Sequence, residues 1–263
     1  MSFFDRLFNN KKKEQQEHQP LTTKEKFTEH MKVLDQFKRV AYLPQVTETA
    51  AEFSDHSKIG GLPYLRSKED WPECPNCKKH MQLFLQMDLS SIPENRSNGL
   101  LQLFYCTSLN PHCEVDEEAY FPFSKAVKSR IIQINGASKN ISSKLEDLFV
   151  EKRITSWVAV DDYPHSEDYD SLGIDSDLDE DLYDYLHEDG AGTAIQGDKL
   201  FGWPYWIQGA EYPIDRKTGS QMELVFQFDS EVNLPYMFGD SGVGHLTQSP
   251  DDKQELAFGW ACT

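Results

Sequence analysis

Apolar positions recur at helical spacing near the start of the chain, where Phe27, Met31, Leu34 and Phe37 predict an amphipathic helix over 22–38 capped by Thr22 or Thr23. Ser143 and Glu146 form a capping-box pair ahead of Leu145, Leu148 and Phe149, which predicts a second helix there. Leu178, Leu182 and Leu186 recur every four residues and suggest an amphipathic helix with an acidic outer face. The rest reads as strands. Short apolar runs at 39–45, 81–88, 99–106, 130–134, 156–160, 222–229 and 254–261 are bounded by Gly, Pro, Asn, Asp or Ser. Strands outnumber helices, so the expected class is α+β with mainly antiparallel sheets.

The pattern contains a repeat. Residues 58–89 align without a gap to 199–230, at a constant offset of 141 (199 minus 58). Nine of the 32 aligned pairs are identical, among them Lys58/Lys199, Gly61/Gly202, Pro63/Pro204, Tyr64/Tyr205, Gln86/Gln227 and Asp88/Asp229. Identities at Gly and Pro, where the backbone is most constrained, point to duplication rather than shared composition. The expected organisation is a mobile segment 1–20, a first half 21–160, an acidic insertion 161–190 and a second half 191–263, with two sequence-related lobes sharing one domain.

Charge changes the picture. The 263-residue chain carries a formal charge of −18, and residues 161–190 hold thirteen acids with no Lys or Arg. Such a balance excludes sequence-independent nucleic-acid binding, which needs basic side chains to displace counterions from phosphates. It suits an acidic surface that steers a basic protein or peptide. No apolar run approaches the length of a membrane span. Phe3, Phe4, Leu7 and Phe8 beside Lys11 to Lys13 offer at most weak surface contact, so no stable membrane insertion is expected. The start lacks the order of a secretory signal, and five unevenly spaced cysteines do not make a disulfide scaffold; a cytoplasmic protein is expected.

Cys74 and Cys77 stand at the spacing of a zinc knuckle, and Cys106 and Cys113, separated by six residues, could complete a tetrahedral zinc site. The alternative is a turn with reduced thiols, because the second repeat places Asp215 and Thr218 opposite Cys74 and Cys77. Asp177, Asp179, Asp181 and Glu188 match positions of a calcium loop, but Leu182 replaces its turn glycine, so a solvated acidic face is the better reading. Gly239-Asp240-Ser241-Gly242 resembles a serine-protease segment without the accompanying histidine motif, and an ordinary turn accounts for it. No catalytic constellation stands out. Gln86, Asp88, Gln227, Asp229, Trp203, Tyr205 and Asp240 are the candidates for a cleft or partner surface. Core packing is the alternative for the aromatic residues, since their first-repeat counterparts are apolar as well.

GGLPYL at 60–65, WPECPNC at 71–77, LFLQMDLSSIP at 83–93, KLFGWPYWIQ at 199–208, MELVFQFDSEVNLPYMFGDSGVG at 222–244 and the closing LAFGWAC resemble the YwqG family, a bacterial family of unknown function. The resemblance implies a duplicated α+β domain and brings no substrate. The first block is also similar to the carboxy-terminal domain of the programmed cell death two family, thought to escort a ribosomal protein, which is a fold-level analogy. The leading expectation is a non-enzymatic protein that engages a basic polypeptide as escort or neutraliser. The rival is a hydrolase-like enzyme with a carboxylate, Asp88, Asp229 or Asp240, in a cleft between the lobes.

Overall fold

The computed structural model describes residues 21–94, 98–176, 178, 180–188 and 193–263, the side chains of His187 and Glu188 excepted. The amino-terminal apolar cluster and the acids Asp177 and Asp179 lie outside the described residues. In chain order the elements are α1 (Thr23–Leu34), β1 (Arg39–Thr49), β2 (Lys58–Ile59), β3 (Gln82–Asp88), β4 (Leu100–Tyr105), α2 (Cys113–Asp116), β5 (Val127–Ile132), β6 (Glu151–Asp162), α3 (Tyr169–Leu172), α4 (Glu180–Glu188), β7 (Lys199–Phe201), β8 (Glu223–Asp229), β9 (Val243–Gln248) and β10 (Leu256–Ala261).

The ten strands form one antiparallel sheet in the order β10-β9-β8-β7-β1-β6-β2-β3-β4-β5. Its two end strands approach each other, with Ser129 Oγ on β5 donating to Leu256 O on β10 at 3.3 Å, so the sheet curls into a nearly closed barrel. Closure leaves little unpaired strand edge. The expected α+β class is therefore corrected to a mainly-β barrel: the described helices have 12, 4, 4 and 9 residues. The strands of both halves lie in one continuous sheet. Each repeat lends its first strand to the other, β1 pairing with β7 and β6 with β2, while β1 and β6 pair along their whole length.

The duplication is visible bond by bond. Both repeats bulge at the same place, between Leu83 and Leu85 and between Leu224 and Phe226. Gln86 Nε2 donates to the carbonyls of Ser54 and His56, and its Oε1 accepts from Tyr64 N. Gln227 does the same, 141 residues on, with Ile195, Gly197 and Tyr205. The helix expected after Ser143 does not form. Side chains take its backbone groups instead: His80 Nδ1 accepts from Lys144 N, and Gln82 bonds Asp147 O and Phe149 N.

Aromatic rings fill the barrel. Phe84 lies 4.8 Å from Tyr105, 5.1 Å from Tyr236 and 6.4 Å from Phe228, centroid to centroid, which binds strands of both repeats into one core. A smaller cluster at one side holds the helices. Leu34, Tyr169 and Ile174 are buried together, with Met31, Phe37, Leu172 and Leu178 packed around them. The α1 cap is the reciprocal pair of Thr22 and Glu25. Most of the acidic insertion belongs to this corner: α4 buries Leu182 and Leu186, sets Tyr185 against Phe27 of α1, and exposes Glu180, Asp181 and Asp184.

Two ion pairs are wholly buried. Lys58 Nζ lies 2.9 Å from Glu151 and Lys199 Nζ lies 2.8 Å from Asp162, so the repeated lysine finds its counter-charge at opposite ends of β6. Asp162 also accepts from the amides of Ile195 and Trp203, both at 2.8 Å. Glycine leaves room for each carboxylate. A Cβ on Gly61 would fall 2.4 Å from Glu151 Oε2 and one on Gly202 2.1 Å from Asp162 Oδ2, at φ of +76° and +77°. Removing one partner of a buried pair leaves an uncompensated charge and costs about 3–5 kcal/mol. Asp162→Ala should therefore lower the urea midpoint sharply, whereas Asp161→Ala, its neighbour in an exposed pair with Lys38, should leave it nearly unchanged.

Candidate functional site

The turn after Pro72 and its counterpart after Pro213 are built on the same backbone. Cys74 N donates to Lys79 O and Lys78 N to Cys74 O, both at 2.9 Å; Asp215 N to Ser220 O and Gly219 N to Asp215 O repeat them at 2.9 Å. Single bridges, Glu73 with His80 and Ile214 with Gln221, close the two turns. Their polar chemistry differs. In the second repeat Asp215 Oδ1 accepts from Lys217 N at 2.7 Å and Thr218 N at 3.2 Å. The Ser249 hydroxyl and these amides hold the Asp215 carboxyl down to about 2.

In the first repeat the turn carries thiols, and the structure brings four of them together. The Sγ atoms of Cys74, Cys77, Cys106 and Cys113 all lie within 4.8 Å of one another. Cys74 and Cys113 are 3.8 Å apart, Cys77 and Cys106 3.6 Å. Cys106 directly follows β4, and Cys113 opens α2. Cys77 alone is half-buried; the other three are buried. Asn76 Nδ2 donates to Cys113 Sγ at 3.5 Å. Burial raises the Cys77 thiol, but the Lys79 amide and the neighbouring sulfurs outweigh it, and the net direction is down. Burial pushes Cys106 up and Cys113 up to about 11.

A cavity of about 690 Å³ opens beside this cluster. Lys79, His80, Cys106–Asn110 and Lys144–Asp147 line it from the first repeat, and Pro235 and Tyr236 from the second. At its base Glu114, the residue after Cys113, accepts from Tyr105 Oη at 2.7 Å and from Tyr236 Oη. Trp260 Nε1 donates to Tyr105 Oη at 2.9 Å. Burial raises both tyrosines, so they remain hydroxyl donors. This network joins α2 to strands of both halves. Glu114 and Tyr105 carry no motif in the sequence; adjacency to Cys113 and the end of a strand is their only signal.

The other candidates are spent on structure. Gln86 and Gln227 use their amide groups to hold the segments before β2 and β7. Asp88 caps the turn after β3 through Ser90, and its amide, like that of Asp229, is held by the residue before the repeated lysine, Ser57 or Asp198. Trp203 is buried, donates Nε1 to Phe37 O at 2.8 Å, and lies under the Arg39 guanidinium at 3.5 Å. Tyr205 is fixed through its amide to Gln227 and through its carbonyl to His245 Nε2 at 3.1 Å. Asp240 is exposed in a turn whose carbonyl accepts from Thr263. None of Asp88, Asp229 and Asp240 lines the 690 Å³ cavity; Asp88 lines a separate one of about 390 Å³ with His56, Arg153 and Trp157.

Fold and site together define a duplicated, nearly closed antiparallel barrel with a four-cysteine cluster in one repeat and its oxygen-bearing counterpart in the other. Residues 57–262 match the family model described as Domain of unknown function (DUF1963), and the chain belongs to that family. No curated protein matches the chain. Among the described residues no helix is long and apolar enough to cross a membrane.

His245 supplies a pH test of this packing. Burial, then the charge of Lys199, pushes its imidazole down to about 3, while an unfolded histidine titrates near about 6.5. Below that value the unfolded chain takes up a proton that the folded chain refuses. The stability from neutral His245 is thus complete above about pH 6.5 and falls as pH drops, by roughly 2–3 kcal/mol at pH 4.5. At the matching place in the first repeat Gln102 Nε2 donates to Tyr64 O at 2.8 Å. His245→Gln should therefore keep stability near pH 7 and flatten its loss in acid, as followed by urea unfolding at each pH.

Proposed function

We propose that the protein is a non-enzymatic, cytoplasmic binding protein that engages a basic polypeptide through the acidic corner made by α1, α3 and α4. The observation that carries this reading is the orientation of α4. Its leucines are spent on packing while Glu180, Asp181 and Asp184 face outward, with Asp170 and Asp175 exposed nearby. Exposed acids grouped on α3 and α4 raise encounter rates with a cationic partner and orient it. The likeness of the first block to the programmed cell death two carboxy-terminal domain, a fold-level analogy, favours an escort as the form such binding takes.

The cavity beside the cysteine cluster favours a second reading, an enzyme whose substrate sits between the repeats near His80, Lys144 and the exposed carboxylates of Glu146 and Asp147. Its volume lies within the range of small-molecule sites. Thermal-shift screening against metabolites, with Lys144→Ala and Glu146→Gln as controls, tests this alternative.

For the leading reading the probe is a labelled lysine-rich peptide, titrated by fluorescence anisotropy at low and moderate salt. Neutralising the corner with Glu180→Gln, Asp181→Asn and Asp184→Asn should weaken binding about tenfold, because three exposed charges each contribute a few tenths of a kcal/mol. The same number of neutralisations elsewhere, Glu48→Gln, Glu118→Gln and Glu231→Gln, should change it little. Equal losses from both sets, or none from the corner, would contradict the proposal.

A further inference from the structure

We propose that Cys74, Cys77, Cys106 and Cys113 hold a structural zinc ion that locks the first-repeat turn and the start of α2 against the barrel. The spacing of the sulfurs points to it. Four Zn–S bonds of about 2.3 Å at tetrahedral angles set S···S separations of about 3.8 Å. Two pairs stand at 3.6 and 3.8 Å, and all four atoms lie within 4.8 Å of one another. A disulfide would require either pair to close to about 2.05 Å. Four sulfur donors select a soft, tetrahedral ion, and a full set with three ligands buried leaves no open coordination position, which is the arrangement of a structural site rather than a catalytic one.

The second repeat is an internal control for what the turn requires. There the amides of Lys217 and Thr218 point at the Asp215 carboxylate, a fixed negative charge. On the matching backbone of the first repeat Cys74 stands where Asp215 stands in the second, the position of an anionic acceptor. A zinc-bound thiolate is one; a neutral thiol is a poor one. Asn76 Nδ2 adds a donor to Cys113 Sγ, as ligands require from their surroundings. The backbone agrees. At the residue after the second ligand, Lys78 adopts φ of +61°, where the second repeat has Gly219 at +79°. That conformation is uncommon for a non-glycine residue, and a metal clamp across the turn would hold it.

Zinc also explains the cavity wall. The ligands Cys106 and Cys113 bracket the segment carrying Thr107, Ser108, Leu109 and Asn110, which lines the cavity, with Leu109 80% exposed. Cys113 precedes Glu114, whose carboxylate ties Tyr105 to Tyr236. The ion would fix one side of the cavity and its inter-repeat hydrogen bonds together.

The test is metal analysis and native mass spectrometry of the full chain, purified in reducing buffer without chelator. About one zinc per chain is expected, with four thiols protected from a thiol reagent until a strong chelator is added. Chelation should then raise hydrogen exchange in 74–79 and 106–113 while 215–220 stays protected. Cys113→Ser should lose the metal, and Asp215→Asn should keep it. A folded chain without zinc and with reactive thiols, a disulfide within the cluster, iron in place of zinc, or equal zinc loss from Asp215→Asn would overturn the assignment. The measurements on the unmodified chain decide the question even where Cys113→Ser fails to fold.

Discussion

Two lysines buried at the same position of a duplicated sequence must each find a counter-charge, and both find it on β6. Glu151 opens that strand and Asp162 ends it, so a single strand neutralises Lys58 of one repeat and Lys199 of the other. A charge in an apolar interior is tolerated only when paired and hydrogen-bonded. That requirement fixes where each repeat meets β6, and Gly61 and Gly202 leave open the space where a Cβ would collide with the carboxylates. The exchange of β1 and β6 between repeats follows the same geometry and turns two half-sheets into one barrel.

Within that frame duplication preserved hydrogen-bond roles and changed the groups that fill them. Gln86 and Gln227 hold equivalent carbonyls with the same amide. Gln102 and His245 reach equivalent carbonyls with different donors. The turns at 74–79 and 215–220 share every backbone bond described above and differ in whether sulfur or oxygen sits at the centre. What the repeats do not share is the cysteine cluster with its cavity on one side and the acidic helical corner inserted between β6 and β7 on the other.

The sequence shows much of this and hides the rest for physical reasons. Seven strands announce themselves by apolar runs, and the Gly, Pro, Gln and Asp identities reveal the duplication. β2 and β7, of two and three residues, are too short to carry a period. β9 is buried along its whole length, which erases alternation, and its glycine and histidine mask it further. β2 and β7 link β6 to β3 and β1 to β8 in one continuous sheet, and the α+β expectation failed because that sheet dominates and the helices are few and short. A capping box at Ser143 promised a helix, but His80 and Gln82, distant in sequence, claim the backbone groups a helix would use. The Cys74 and Cys77 spacing is legible locally; that Cys106 and Cys113 close on it depends on β4 lying beside β3. The candidate glutamines and aspartates are legible as repeated identities, and the glutamines make the same backbone contacts in both repeats.

On the zinc proposal one backbone turn is stabilised twice by different chemistry, by a metal in the first repeat and by a carboxylate in the second. Anomalous X-ray diffraction from crystals of the full chain, collected just above and just below the zinc absorption edge, tests it most directly. The account predicts one peak present only above the edge, at the centre of the four sulfurs and about 2.3 Å from each, with none beside Asp215. Well-ordered sulfurs with no peak among them, or paired as disulfides, would contradict it.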